Sequence, residues 1–250
     1  MADIKVGREV IKDVQLVVFD KDGTLTDLYK YWSSMVGFRT DLICQRLFLK
    51  EADNIALREA MGVDLQRLRL KPQGPVGLKK REVVMQTAID YLETIGFSDT
   101  EQLCTDVFEE IDRHSLGHFD SIIRPIEGLY NLFDSLKKNS CKIAIATTDR
   151  TERARLAMEH LKIADQINLI VGADMVSNTK PDPEMVNLIL SKLNVPRDKV
   201  IMVGDAMSDV ELGVNAGLKA SIGVLTGLAA EEDLRSVTRY VVPSIDEITL

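Results

Sequence analysis

Four stretches of this 250-residue chain hold acids, a lysine and hydroxyls at the ends of apolar runs, where a core has little use for them. Asp20 and Asp22 follow the run Val14–Phe19, separated by one lysine and followed by Gly23, a residue free to adopt angles that others avoid. Thr147 and Thr148 end the run Lys142–Ala146, and Lys180 stands in the loop Asn178–Pro183. Asp205 ends the run Lys199–Val203, with Asp209 one helical turn later. Carboxylates are costly to bury unless paired or bound to metal, and clustered acids raise one another's pKa unless a hard cation neutralises them. An all-oxygen donor set without histidine favours Mg2+ over zinc, and Mg2+ takes substrates with phosphate oxygens. Lys180 and Thr147 supply an ammonium and a hydroxyl suited to such oxygens. In that setting one carboxylate can attack phosphorus and form an aspartyl-phosphate. A second, two residues away, can protonate the leaving oxygen and later activate water.

The elements that must position these groups follow from periodicity. Val14–Phe19 is continuous, apolar and rich in β-branched residues, the pattern of a strand covered on both faces. From residue 28 to about 120 no strand is evident. Helical spacing predicts helices over Tyr31–Leu49, Ala52–Met61, Arg81–Ile95 and Glu101–His114, the last with Ser98 or Asp99 as N-cap. The connector Leu70–Leu78, with two prolines and two glycines, reads as a loop. Ile122–Pro125 is expected to re-enter the sheet region. Helices are expected over Gly128–Lys138, Thr151–Leu161, Pro183–Leu193 and Asp209–Ala216, alternating with strands Lys142–Ala146, Ile167–Gly172, Lys199–Val203, Ala220–Val224 and Tyr240–Val242. Such alternation implies βαβ units and a parallel sheet. The expectation is a Rossmann-like, doubly wound α/β core built from residues 1–27 and 121–250, with an all-α insertion over 28–120. In open parallel sheets ligands bind beyond the carboxyl ends of the strands, and every unusual polar group above sits at such an end.

A net charge of −8 argues against non-specific nucleic-acid binding, which needs a basic footprint. Cys44, Cys104 and Cys141 are widely spaced and fit neither a disulfide framework nor a zinc site. They read as buried or partly buried free thiols in a reducing compartment. No apolar run approaches a membrane span, and Met1–Lys12 lacks the apolar stretch of a signal peptide, so the expectation is a cytoplasmic protein without membrane partners. No heptad pattern singles out monomer or dimer.

These residues resemble the haloacid dehalogenase superfamily, in its Mg2+-dependent phosphatase branch with a helical (C1-type) cap after the first strand, phosphoglycolate-phosphatase- or β-phosphoglucomutase-like. The motifs are D-x-D-G-T-L-T at Asp20–Thr26, the strand ending in Thr147, Lys180 in T-K-P-D-P, and G-D-x-x-x-D at Gly204–Asp209. The resemblance implies that Asp20 is the nucleophile and a metal ligand. It makes Asp22 the general acid/base, with its backbone carbonyl on the metal. Asp205 becomes the further direct ligand and Asp209 a ligand either directly or through water, while Thr147 and Lys180 hold phosphate. Gly23 and the backbone of Thr148 would also serve the phosphate, although the family often has Asn at position 148. The implied activity is hydrolysis of a small phosphorylated metabolite. A sugar phosphomutase on the same core is the alternative, with a phosphonatase or a catalytically silent binding protein further off.

Other residues have two readings. Asp209 is also a candidate N-cap of its helix, and Asp174 and Asp182 read as turn or capping acids, as does Asp149 unless it faces substrate. His114, His118 and His160 stand in no ligand pattern. Tyr29, Tyr31 and Trp32 either wall a pocket or pack in a helical core. Arg39, Arg46, Lys71, Lys79, Lys80 and Arg81 either solvate a face or bind a second anionic group on the substrate.

Overall fold

The chain opens with an antiparallel pair, β1 (Ala2–Val6) and β2 (Glu9–Val14), in a computed structural model that describes residues 2–77, 79–115 and 119–250. In β1 the residues Ala2, Ile4 and Val6 are buried and those between them exposed, the strict alternation of a half-covered strand. The expected Val14–Phe19 strand is therefore two elements. Val14 ends β2, and β3 is Leu16–Phe19, buried throughout. Asp13 causes the break: it sits at φ 60°, its N–H donates to Asp3 Oδ1, and its carboxylate pairs with Lys199.

Contacts divide the chain into two units, 1–27 with 124–250 and 28–123. The second unit holds α1 (Leu28–Leu47), α2 (Glu51–Ala60), α3 (Arg81–Thr94), α4 (Glu101–His114) and α5 (Phe119–Ile122). Helix α1 packs on α2 and α4, and α3 packs on both of these. Three expectations for this stretch need correction. A short antiparallel pair, β4 (Val63–Asp64) and β5 (Arg69–Leu70), interrupts the helices, because Asp64 Oδ1 accepts the Arg67 N–H and closes the turn. Leu70 therefore belongs to a strand, while Leu78 and His118 lie outside the described residues. The N-cap of α4 is Thr100, without a side-chain cap bond. Ile122 ends a helix instead of entering the sheet, and only a bridge between Thr26 and Pro125 follows.

The first unit continues with α6 (Leu129–Lys138), β6 (Lys142–Ala146), α7 (Thr151–His160), β7 (Leu169–Val171), α8 (Glu184–Leu193), β8 (Val200–Gly204), α9 (Met207–Asn215), β9 (Ala220–Val224), α10 (Glu231–Val237), β10 (Tyr240–Val242) and β11 (Ile248–Thr249). Helix α10 is not among the elements expected from periodicity. Six strands pair in parallel in the order β10-β9-β8-β3-β6-β7, and β11 joins β1 and β2 in a separate antiparallel sheet. This is a Rossmann-like α/β core. Leu16 and Val18 face a cluster with Met185, Val186 and Ile189 of α8. Phe19 meets Phe133 of α6, ring centroids 5.4 Å apart. Strand residues alternate in direction, so helices cover both faces.

Phe133 is fully buried. Phe133→Ala is expected to cost about 3–5 kcal/mol through lost burial and the cavity left behind. Urea unfolding should show a lower midpoint with an unchanged slope. Among the described residues, no helix is long and apolar enough to cross a membrane. Cys44, Cys104 and Cys141 are all buried, and burial pushes each thiol up to about 11.

Candidate active site

Strand β3 is the centre of the site because the strand order reverses around it. The chain runs outward through β6 and β7 on one side and through β8, β9 and β10 on the other. Such a switch point leaves a crevice beyond the carboxyl ends of the strands. Phe19 lies opposite Val203, and the Asp20 N–H extends the ladder by donating to the Val203 carbonyl at 2.9 Å. A tight turn follows. Leu25 and Thr26 donate their N–H groups to the Lys21 carbonyl at 2.9 and 3.0 Å, and the Gly23 N–H donates to the Thr26 carbonyl at 2.8 Å. Gly23 has φ 96°, and a Cβ there would lie 2.5 Å from the Asp205 carboxylate. The glycine is required both by its angle and by the acid that approaches it.

Asp20, Asp205 and Asp209 are buried, and each offers a carboxylate oxygen within 4.8 Å of the other two. The buried Lys180 side chain bridges two of them, its Nζ donating to Asp20 Oδ1 at 2.5 Å and to Asp209 Oδ1 at 2.7 Å. Asp209 Oδ2 accepts the Ala206 N–H at 3.0 Å. Helix α9 starts two residues earlier than expected, so Asp209 is its third residue and satisfies the N-cap backbone from there instead of being the N-cap. Asp205 Oδ1 accepts the Thr24 hydroxyl at 3.0 Å. The loop after β9 closes over the same acid. A Cβ at Gly227 would lie 1.7 Å from Asp205 Oδ2, and the Thr226 hydroxyl donates to the Gly23 carbonyl.

The electrostatics call for positive charge. Burial raises Asp20 to about 6 against the pull of Lys180, with Asp209 and Asp22 adding to the rise. Burial also lifts Asp205 well above the usual carboxylate range, and the charges of Asp20 and Asp209 push the same way. Burial disfavours the Lys180 ammonium, yet Asp20 and Asp209 outweigh it and hold its pKa above the ordinary lysine value. Three acids thus share one ammonium. An oxygen-only donor set in this condition fits a hard cation such as Mg2+.

Asp22 turns to other partners. Its Oδ1 accepts the Lys21 ammonium at 2.6 Å and the Thr26 hydroxyl at 3.0 Å. Lys21 also lies 3.4 Å from Asp149 Oδ2, which Arg153 approaches at 3.7 Å. Thr147 is buried at the end of β6, beside β3, and its hydroxyl accepts the Asp149 N–H at 3.1 Å. Thr148 is exposed. Asp174 accepts the N–H and hydroxyl of Thr151 at the start of α7, which lowers its pKa, and Asp182 accepts the Glu184 N–H at the start of α8.

In the helical unit most of the candidate cations are held internally. Arg39 is buried and pairs with Asp112 at 2.7 Å; Arg81 pairs with the same acid at 2.9 Å. Both guanidiniums lie over the Phe108 ring. Arg46 pairs with Glu110, and Lys71 donates to the Glu59 carbonyl. Lys79 and Lys80 are exposed. Tyr31 is buried and meets Trp32 edge-on, at 5.1 Å between centroids.

The contacts of Lys21, Thr24, Thr226 and Gly227 are not among the sequence expectations. A signal was present for the last two, since T-G directly after an apolar strand marks another turn on the same rim.

The sequence pattern of the haloacid dehalogenase-like hydrolases matches residues 17–223. Pyrophosphatase PpaX of Halalkalibacterium halodurans is 33% identical over 110 residues, 44% of this chain and 51% of that protein, so the match spans about half of that relative's length. Pyrophosphatase PpaX of Bacillus velezensis is 26% identical over 210 residues, 84% of this chain and 83% of that protein. The solved structure of a haloacid dehalogenase superfamily hydrolase of subfamily IA from Geobacter sulfurreducens shares the fold, with a TM-score of 0.67 at 15% identity over 94% of each chain. With its acid and lysine motifs on the rim of a parallel core and the pattern matched over most of its length, the chain belongs to the haloacid dehalogenase-like hydrolase family.

Proposed function

We propose that the chain is a Mg2+-dependent phosphatase that hydrolyses small phosphorylated metabolites in the cytoplasm. The observation that carries this reading is the Lys180 ammonium shared by Asp20 and Asp209, with Asp205 in the same buried cluster. An ammonium between two acids has little structural merit in a core, but it orients a carboxylate and meets phosphate oxygens at a rim. The resemblance in sequence to proteins named pyrophosphatases supports cleavage of a phosphorus–oxygen bond.

In the first half of the reaction an Asp20 carboxylate oxygen attacks phosphorus. The bond from phosphorus to the ester oxygen breaks, and the leaving oxygen takes a proton from the Asp22 carboxyl. In the second half water attacks the phosphorus of the aspartyl-phosphate and gives its proton to Asp22. Phosphate leaves and the Asp20 carboxylate is restored. Lys180 and Thr147 hold the phosphate oxygens. The residues that would hold Mg2+ are Asp20, Asp205, Asp209 and the Asp22 carbonyl, and the ion's charge offsets that of the phosphate. Residues 28–123, the helical unit, are the candidate source of specificity, and Lys79 and Lys80 are exposed on it.

A panel of phosphorylated metabolites together with an aryl phosphate tests the reading. Phosphate release is expected from the aryl ester and from at least one metabolite. It should stop with EDTA and return with excess Mg2+. Release that persists without the metal, or none from any ester, would overturn it.

A further inference from the structure

The lysine between the two acids of the first motif has a task of its own. Its side chain is only 3% exposed, a rare place for a lysine without partners of opposite charge. Its Nζ lies 2.6 Å from Asp22 Oδ1 and 3.4 Å from Asp149 Oδ2. The Asp149 carboxylate is in turn approached by Arg153 at 3.7 Å. The Thr26 hydroxyl donates to the same Asp22 oxygen at 3.0 Å. Two lysines therefore sort the acids of the rim. Lys180 gathers Asp20 and Asp209, and Lys21 draws Asp22 aside towards Asp149.

We propose that Lys21 is a positioning residue for proton transfer, anchoring Asp22 by Oδ1 so that its other oxygen, Oδ2, carries the proton exchanged with the leaving group. This rests on the phosphatase reading above. Both donors meet one oxygen, and an oxygen that accepts from an ammonium and a hydroxyl is a poor seat for a proton. Oδ1 is therefore committed to its two donors, which leaves Oδ2 as the oxygen that faces the exchange. The proton on Oδ2 passes to the ester oxygen as its bond to phosphorus breaks, leaving Asp22 a carboxylate paired with Lys21. The incoming water later returns a proton to Oδ2. The Lys21 backbone carbonyl, which holds the turn through Leu25 and Thr26, is untouched by a change of side chain.

The leaving group provides the test. An alkoxide needs a proton to depart, whereas p-nitrophenolate does not, so kcat/KM on the two esters separates proton delivery from attack by Asp20. In Lys21→Met, kcat/KM is expected to fall at least about tenfold further on an alkyl phosphate such as glycerol phosphate than on p-nitrophenyl phosphate. Lys21→Arg, which keeps a cationic donor, should recover part of the difference. Asp149→Asn removes the second anchor at a half-buried position and should shift the ratio the same way by less. It decides the question if Lys21→Met does not fold. An unchanged ratio in the folded variants overturns the assignment of Lys21 and leaves the phosphatase reading intact. A wild-type protein that releases phosphate from no ester, these two and the metabolite panel included, overturns both.

Discussion

Asp20→Asn is expected to lower Mg2+-dependent phosphate release from an aryl phosphate by about 10^4-fold or more, the scale of loss when a nucleophile is removed. The amide has almost the same shape as the carboxylate and keeps an oxygen to accept from Lys180, which now stands 2.5 Å from Asp20 Oδ1. The amide oxygen is a far weaker nucleophile, and no stable acyl phosphate can form from it. The fold should tolerate the change. Burial already raises Asp20 to about 6, so the charged side chain is itself a burden on the folded state, and Lys180 retains Asp209 as a partner. Activity and stability should separate, with turnover lost and the melting temperature held. Acid-quenched samples should carry a phosphoryl group on the wild-type protein and none on the variant. Turnover near the wild-type rate in Asp20→Asn would sink the role given to this residue, whatever else the site does.

The parts of the fold that were legible from sequence are those whose physics is local. Buried parallel strands such as Leu16–Phe19 and Val200–Gly204 read as unbroken apolar runs because both faces are covered. The polar groups at their ends stood out because a core has no other use for them. The missed parts depend on partners distant in sequence. Strand β1 carries a plain alternation, but it is short and charged, and its sheet is completed by β11 from the other end of the chain as well as by its neighbour β2. The split at Gln15 rests on Asp13 pairing with Lys199, which no local pattern reveals. In the site, single acids were recognisable by type and spacing, but the company each keeps was not. Lys21 looked like a spacer, and only the turn at Gly23 brings its ammonium onto Asp22. Gly227 gained meaning from the approach of Asp205, more than twenty residues away. Arg39 and Arg81 read as either face-solvating cations or substrate contacts, and the shared Asp112, distant in sequence, accounts for their charge.

Lys180→Met should show how far the cluster depends on its own ammonium. Removing one partner of a buried ion pair typically costs about 3–5 kcal/mol, because the remaining charge is left without compensation. Here two acids lose their partner together, so in metal-free buffer the unfolding free energy from urea titration is expected to drop by an amount in that range. The pH dependence has a definite sign. Lys180 is the nearest charge lowering the pKa of Asp20, and without it that carboxyl moves further above its unfolded value of 3.8. A carboxyl with a raised folded-state pKa binds its proton more tightly in the native protein, so stability falls as pH rises. The deficit of the variant relative to wild type should therefore be smallest near about pH 4 and approach its full size above about pH 7. Added Mg2+ should restore part of the lost stability, since a cation that binds the folded cluster favours it by mass action. Catalysis should stay impaired by at least about 100-fold, because the ion replaces the charge between the acids but not the donor that orients Asp20 and meets the phosphate. A variant as stable as wild type at pH 8 without metal would show that the folded cluster does not depend on the Lys180 charge there. The ammonium would then be an accessory to the cluster instead of its counter-charge.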